Sequence, residues 1–469
     1  MIMKKIISAS MIFAVALAFN GCSGEEDDLF TDSAAERLNA ASELYSARLT
    51  AQPNGWAMQY YPTYDDSAPN GKGYLLLTRF NKDFTVNVSG YDWPYWRYER
   101  VGDAQSSSQE WVSHYRNEYR EATSFWEVIT DNGPVLSFNS YNDIMHYFSD
   151  PDFRETGTGF GGDYEFIVVD APDDASYMML KGKKRGTYNL LTPIEEGIVY
   201  ADYMADVKGF HNEIFPENEL ISNLVFFGDS VYRMDGSNDG LPNIYPYDGD
   251  AIANESFNPF LITKRGNDYY LRFRDEFKRD DMEGSLQELR YVPESDEFVG
   301  TDNPAFRITG FPPGWFFYQA LQKGQKFNLT TATEKSEKLT TLFTNMRTDL
   351  SKALSFTLSN TQFNSTSSAD SVSYNVIYRV RRGTTYVSGQ LTAAYKMTYD
   401  KQSVTLSQPV FDSSTQGRTD QVPSLAEYFN MLAGTWNVTP GKSAFNLSTL
   451  RFTKNDDADT WFAVSYSTN

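Results

Sequence analysis

The chain has 469 residues, enough for two or three domains, and its 41% hydrophobic and 15% aromatic content excludes a disordered polymer. Its 62 Asp and Glu outnumber 41 Lys and Arg, and a formal net charge of −21 disfavours nucleic acid and anionic lipid headgroups as partners. The aromatics are mainly Tyr (31) and Phe (33), which favours β-rich structure, and a single cysteine rules out an intrachain disulfide framework.

The first 21 residues read as an export signal. Lys4 and Lys5 give a positive start, and residues 6–19 (IISASMIFAVALAF) form an uncharged apolar run too short to span a bilayer. Gly21 then precedes Cys22, the only cysteine. A small residue before a nucleophilic thiol resembles a bacterial lipobox, in which the thiol takes a diacylglycerol and the chain is cut before it. Cys22 is therefore the expected lipidation site, and the lipid the expected anchor to the outer membrane. Residues 22–32 carry Glu25, Glu26, Asp27 and Asp28 and read as an acidic tether.

Folded structure is expected from residue 33. Ser33 and Glu36 have capping-box spacing, and Leu38, Ala41, Tyr45 and Leu49 form one helical stripe. From Trp56 the period changes to two: Trp56, Met58 and Tyr60, then Phe84, Val86 and Val88. Residues 124–129 and 135–138 flank Asp131-Asn132-Gly133-Pro134, a hairpin signal, and 164–170 pairs with 178–183. These strands predict an antiparallel meander over 33–191.

The region 192–469 is expected to be a second β-rich unit, with a further division near 330. Thr192, Pro193 and Glu195 have the pattern of a helix start, with Val199, Tyr203, Val207 and Phe210 at helical spacing. Strands follow at 224–227, 230–234, 260–264, 269–273 and 287–293. Thr331 and Glu334 would cap a third helix whose core face is Leu339, Leu342, Phe343, Met346 and Leu350. Residues 360–370 read as a polar loop, and strands resume at 372–378, 386–399, 403–406, 447–452 and 461–466. The fold class is mainly β (α+β), as antiparallel meander barrels or sandwiches, each preceded by a covering helix.

Candidate chemistry is sparse. The three histidines, His114, His146 and His211, form no zinc-ligand spacing, no Gly-x-Ser-x-Gly is present, and no cofactor or catalytic residue is assigned. Asp235, Ser237 and Asp239 match the first half of a calcium loop, but Pro246 stands where its Glu is needed, so no metal site is assigned either. The densest aromatic stretch is Tyr91-Asp92-Trp93-Pro94-Tyr95-Trp96-Arg97-Tyr98. Flat rings stack on the C–H faces of sugars, so Trp93, Tyr95, Trp96 and Arg97 are the expected ligand-binding residues if the loop is exposed; large rings more often fill a core.

Several motifs occur together in order: Asn54-Gly55-Trp56, Tyr60-Tyr61-Pro62, Gly73-Tyr74, the 134–138 stretch PVLSF, Ser140-Tyr141-Asn142, His146-Tyr147-Phe148, the 162–166 stretch GDYEF and the 180–184 stretch LKGKK. With the lipobox they resemble the Bacteroidetes surface-lipoprotein family known only as domain of unknown function 4302. The resemblance implies a surface-exposed, lipid-anchored accessory protein of a starch-utilisation-type uptake complex, binding a glycan, a peptide or a partner protein. Two other functions stay open: an extracellular hydrolase with paired carboxylates, and a barrel enclosing a small apolar ligand.

Overall fold

The computed structural model describes residues 33–64, 71–91, 97–101, 110–114, 119–131, 133–150, 160–216, 221–247, 258–278, 283–330 and 333–467. Over these the protein is mostly β, built from three large antiparallel sheets in chain order with a few helices across their ends and seams.

Helix α1 (Ala34–Leu49) starts where the capping box predicts: Ser33 Oγ accepts from Glu36 N, and the Glu36 carboxylate accepts from Ser33 N at 2.8 Å. The first sheet follows: β1 (Trp56–Tyr60), β2 (Tyr74–Phe80) and β3 (Thr85–Gly90), then, after the separate pair β4 (Arg97–Val101) and β5 (Glu110–His114), strands β6 (Arg120–Phe125), β7 (Glu127–Thr130), β8 (Pro134–Ser137), β9 (Glu165–Asp170), β10 (Met178–Gly182) and β11 (Tyr188–Pro193). The order is β6-β3-β2-β1-β11-β10-β9-β8-β7, so its two edges are consecutive in the chain. The expected single strand over 124–129 is thus two strands. Trp126 breaks it, turning into the core against Phe80 at 5.1 Å while its N–H donates to Phe84 O. Helix α1 packs on β7 and β8 beside this seam.

All five residues of β1 are buried. Trp56, Met58 and Tyr60 face the first core, whereas Ala57 and Leu77, on the other face of β1 and β2, belong to the second core. With apolar neighbours on both faces, the strand does not need a polar alternate set.

The expected helix at Thr192 is not formed. Thr192 and Pro193 end β11, paired with Ala57 and Trp56, where a residue without an N–H ends the ladder at little cost. Glu195 instead accepts from Gly266 N, and the helix, α2, is Tyr200–Ile214, burying Tyr203, Met204 and Val207. The second sheet comprises β12 (Asn223–Phe227), β13 (Ser230–Asp235), β14 (Asn243–Pro246), β15 (Phe260–Arg265), β16 (Asp268–Phe277), β17 (Leu286–Val292), β18 (Glu297–Gly300) and β19 (Phe306–Gly310), in the order β14-β13-β12-β19-β18-β17-β16-β15. Bonds from Asn258 N to Pro242 O and from Phe260 N to Gly240 O draw its edges together.

Helix α3 (Pro313–Gln322) has proline at its first turn and buries Phe316, Phe317, Ala320 and Leu321. The third sheet is β20 (Lys326–Asn328), β21 (Thr357–Ser365), β22 (Ser371–Arg382), β23 (Thr385–Tyr399), β24 (Ser403–Leu406), β25 (Val410–Phe411), β26 (Gly434–Pro440), β27 (Thr449–Lys454) and β28 (Asp457–Ser467). Its order is β22-β21-β20-β28-β27-β26-β24-β23-β25, and β22 also pairs with β23, which closes an eight-stranded barrel. Helix α4 (Glu337–Leu354) is capped by Ser336, whose Oγ accepts from Leu339 N; Thr331, the expected cap, lies outside the described residues. The segment expected to be a polar loop is largely β21: Thr361 and Phe363 face inward, and Asn360, Gln362 and Asn364 occupy the alternate face. Two short helices, α5 (Ser413–Gln421) and α6 (Pro423–Met431), complete the unit.

Helix α3 touches both β21 and β26, four places apart in the ring, so it lies across one end of the barrel. Helix α4 runs across the other end, from Ser336 beside Trp461 to Phe356 stacked on Tyr378 at 3.7 Å. Rings of Phe317, Phe363, Phe452 and Phe462 fill the interior between them.

The second and third units interlock. Asp296 accepts from Ser443 Oγ and Ala444 N, Phe445 inserts into the second core against Phe298, and Tyr247 stacks on Trp315 of α3 at 5.6 Å.

Candidate functional site

Three family-like motifs of the first sheet, at 140–142, 146–148 and 162–166, meet at one stretch of surface. After β8 the chain turns at Asn142, which is 1% exposed. Its Oδ1 accepts from Ile144 N and Met145 N, both at 3.0 Å, and its Nδ2 donates to Ser124 Oγ at 3.1 Å. An Asn that bonds its own following backbone makes a tight turn without a regular element. Buried Ile144, Met145 and Phe148 pin this turn to the core.

The turn sets three rings side by side. Asn142 N donates to His146 Nδ1 at 3.1 Å, fixing the imidazole. Tyr164 stacks on it at 4.5 Å and 23°, and Tyr141 lies 5.2 Å away on a tilt. Tyr141 is 58% and Tyr164 41% exposed, and the Tyr141 hydroxyl donates to Asp150 Oδ2 at 3.0 Å. Phe125, 55% exposed, is tied to the same turn through Ser140 Oγ. Burial holds the His146 pKa below its ordinary value, so at neutral pH the ring is an uncharged face. Its Nδ1 is filled by a backbone N–H, so the geometry offers a positioned aromatic ring more than a general base or ligand.

A second motif position is structural. Asp163, 4% exposed, accepts from Lys184 N at 3.1 Å and Arg185 N at 2.7 Å, and its backbone exchanges two bonds with the Tyr60 hydroxyl. A Cβ on Gly182 would sit 2.3 Å from Asp163 Oδ2, which accounts for glycine within Leu180-Lys181-Gly182. Burial pushes the Asp163 carboxyl above its ordinary value despite the two N–H donors.

The sequence-predicted site falls elsewhere. Trp93, Tyr95 and Trp96 lie outside the described residues, as does Cys22. Arg97 opens β4 with its backbone opposite His114. In the half calcium loop, the Asp235 carboxylate is taken by Arg233 Nε at 3.0 Å and by the Tyr245 hydroxyl, and Gly236 and Gly240 bracket a 3-10 turn at φ 77° and 67°. Among the described residues no group of three or more His, Cys, Asp or Glu is placed to hold a metal, and no helix is long and apolar enough to cross a membrane.

The family-like motifs carried all three rings, Tyr141, His146 and Tyr164, but nothing in the sequence placed them together. Tyr141 and Tyr164 are 23 positions apart, on a turn and at a strand start, and no periodicity links them.

No curated protein matches the chain. Among solved structures, a DNA polymerase III subunit β from Pseudomonas aeruginosa is 9% identical over 92% of this chain and 98% of that one, with a TM-score of 0.13. The β subunit from Thermotoga maritima is 7% identical over 92% and 97%, with a TM-score of 0.12. Likeness at that level carries no argument. The family model described as Domain of unknown function (DUF4302) matches residues 26–274, more than half of the sequence, and the chain belongs to that family.

Proposed function

We propose that this is a non-catalytic accessory lipoprotein, anchored through Cys22 to the outer membrane and exposed at the cell surface, that holds a glycan for an uptake system. The observation that carries the reading is the exposed Tyr141–His146–Tyr164 stack with Asp150 at its margin. Flat rings offer area to sugar C–H faces at little entropic cost, and a carboxylate beside them takes hydroxyls. The barrel interior is filled by the protein's own rings, which does not favour a small-ligand carrier.

The test is affinity electrophoresis of the purified chain in gels holding neutral polysaccharides such as amylopectin, mannan or xyloglucan. Retention by one of them should fall about thirtyfold in Tyr141→Ala/Tyr164→Ala, at roughly 1 kcal/mol for each ring lost. Unchanged retention in that variant, or release of reducing ends from the polymer, would overturn the reading.

A further inference from the structure

Strands β22 and β23 outrun the barrel that they close. The last β21 partner on β22 is Arg379, opposite Thr357, while β25 and β24 join β23 only from Ala393 onward. The pairs Val380–Val387, Arg381–Tyr386 and Arg382–Thr385 therefore stand as a two-stranded arm with no third strand. Residues 381–388 are all exposed, with Tyr386 at 66% and Val387 at 43%. Small free hairpins are marginal in water and are rarely kept without a partner.

The arm points away from the other two units. It springs from the end of the barrel that α4 crosses, marked by the Phe356–Tyr378 stack. The second sheet attaches at the opposite end, through Trp315 of α3 and the 441–448 turn.

Its chemistry is opposite to that of the chain. In a protein of net charge −21, Arg379, Arg381 and Arg382 fall within four positions, and none forms an ion pair with a described residue; Arg381 Nε donates to Gly383 O. Register places Arg379 opposite Ser388 and Arg381 opposite Tyr386 on one face, the two arginines about 7 Å apart along the strand. Farther down that face come Gln390, Asn375 with Thr392, and Gln362. Asn375 is 5% exposed, and its Oδ1 has no hydrogen-bond partner. A buried amide oxygen without a donor is costly, and a hydroxyl would fill it.

We propose that this arm and the face below it bind an acidic polysaccharide, with the arginines on its carboxylate or sulfate groups, Tyr386 against a ring face, and the amides on its hydroxyls. Guanidinium forks match such anions bidentately. A second copy of the chain fits less well, because three free cross-strand residue pairs offer far less than the roughly 800 Å² per side of a stable protein interface. The site is separate from the tyrosine stack and stands or falls without it.

The experiment measures retardation of the full chain in gels containing polygalacturonate, dextran sulfate or neutral dextran across a salt series, for wild type, Arg379→Gln/Arg381→Gln/Arg382→Gln, Tyr386→Ala and Tyr141→Ala/Tyr164→Ala. Retention by an acidic polymer but not by dextran is expected, weakened about tenfold or more in the arginine variant, with a shallower salt dependence. The variant residues are exposed, so melting should stay at the wild-type value, and the tyrosine-stack variant should bind acidic polymer normally. Equal retention of wild type and arginine variant, no retention at low salt, or stronger binding to DNA would overturn the proposal. So would a dimer in sedimentation that the arginine variant abolishes, which would make the arm a self-contact. A role for the arginines solely as guards against strand-edge pairing predicts no saturable polymer binding, and that result also counts against the proposal.

Discussion

Gly310→Ala tests the interlock between the second sheet and the barrel. Gly310 ends β19 opposite Asn223, and a Cβ there would lie 1.8 Å from Ala444 O and 2.1 Å from Ala444 C. Both are backbone atoms, so no rotamer change relieves the clash; the two units must part by more than about 1 Å to restore ordinary contact. That movement pulls on the bonds from Ser443 and Ala444 to Asp296 and on Phe445, which is fully buried beside Phe215 and Phe298. Overpacking at about 1–3 kcal/mol, with two weakened hydrogen bonds at about 1 kcal/mol each, gives a loss of roughly 3–5 kcal/mol. Calorimetry should show the transition of these two units lowered or split, and limited proteolysis should open the 441–448 turn. Gly417→Ala, with nothing within 4 Å of its Cβ, is the control and should be neutral or slightly stabilising. If Gly310→Ala melts like the control and resists protease equally, the close approach is not a real constraint.

Asp163→Asn should lower stability by about 1–3 kcal/mol, since one of its two backbone donors then faces an amide N–H₂. Because burial raises the folded pKa of Asp163 above the unfolded value near 3.8, its titration adds stability below that value and loses it as pH rises through the folded pKa. The gap between wild type and Asp163→Asn should therefore widen on acidification from pH 7 toward 4; a gap that narrows in thermal melts contradicts the assignment. Cys22→Ala should leave the protein uncleaved or soluble, and a processed form still wholly in outer membranes would refute lipidation. Trp93→Ala and Trp96→Ala separate two expectations: a loss of about 3–5 kcal/mol marks core rings, while unchanged melting with lost glycan retention marks a second platform.

The sequence carried the β class and the hairpins well, because strands such as 260–264 and 269–273 show their period directly around a Gly-Asn turn. It misled wherever tertiary contacts replaced local patterns. Thr192-Pro193 has helix-start chemistry, yet the neighbouring strand claimed both residues. Within 360–365 of β21 Phe363 is the one apolar side chain, so an amide-rich outer face made a strand look like a loop. Helix α3 hides in Phe311-Pro312-Pro313-Gly314, which reads as a turn although Pro313 sits at a first helical position. Of the exposed aromatic stack, His146 was visible as a rare residue type, but the rings on either side of it depend on how β8 and β9 are joined.

The barrel's closure has a bearing on how the protein is made. Strand β20 is three residues long, and its partners are β21 on one side and β28 on the other, with Lys326 opposite Ser467. The ring cannot shut until residues near 467 have left the ribosome and, on the lipoprotein reading, crossed the inner membrane. Until then β20 and β27 present open edges flanked by Phe327, Phe452 and the rest of an aromatic-rich interior. Non-local pairing of this kind folds slowly and leaves sticky intermediates. Deleting only β28 would therefore harm secretion yield far more than eleven residues of mass suggest. On that reading the protein should depend on a periplasmic holding chaperone during the interval before the last strand arrives.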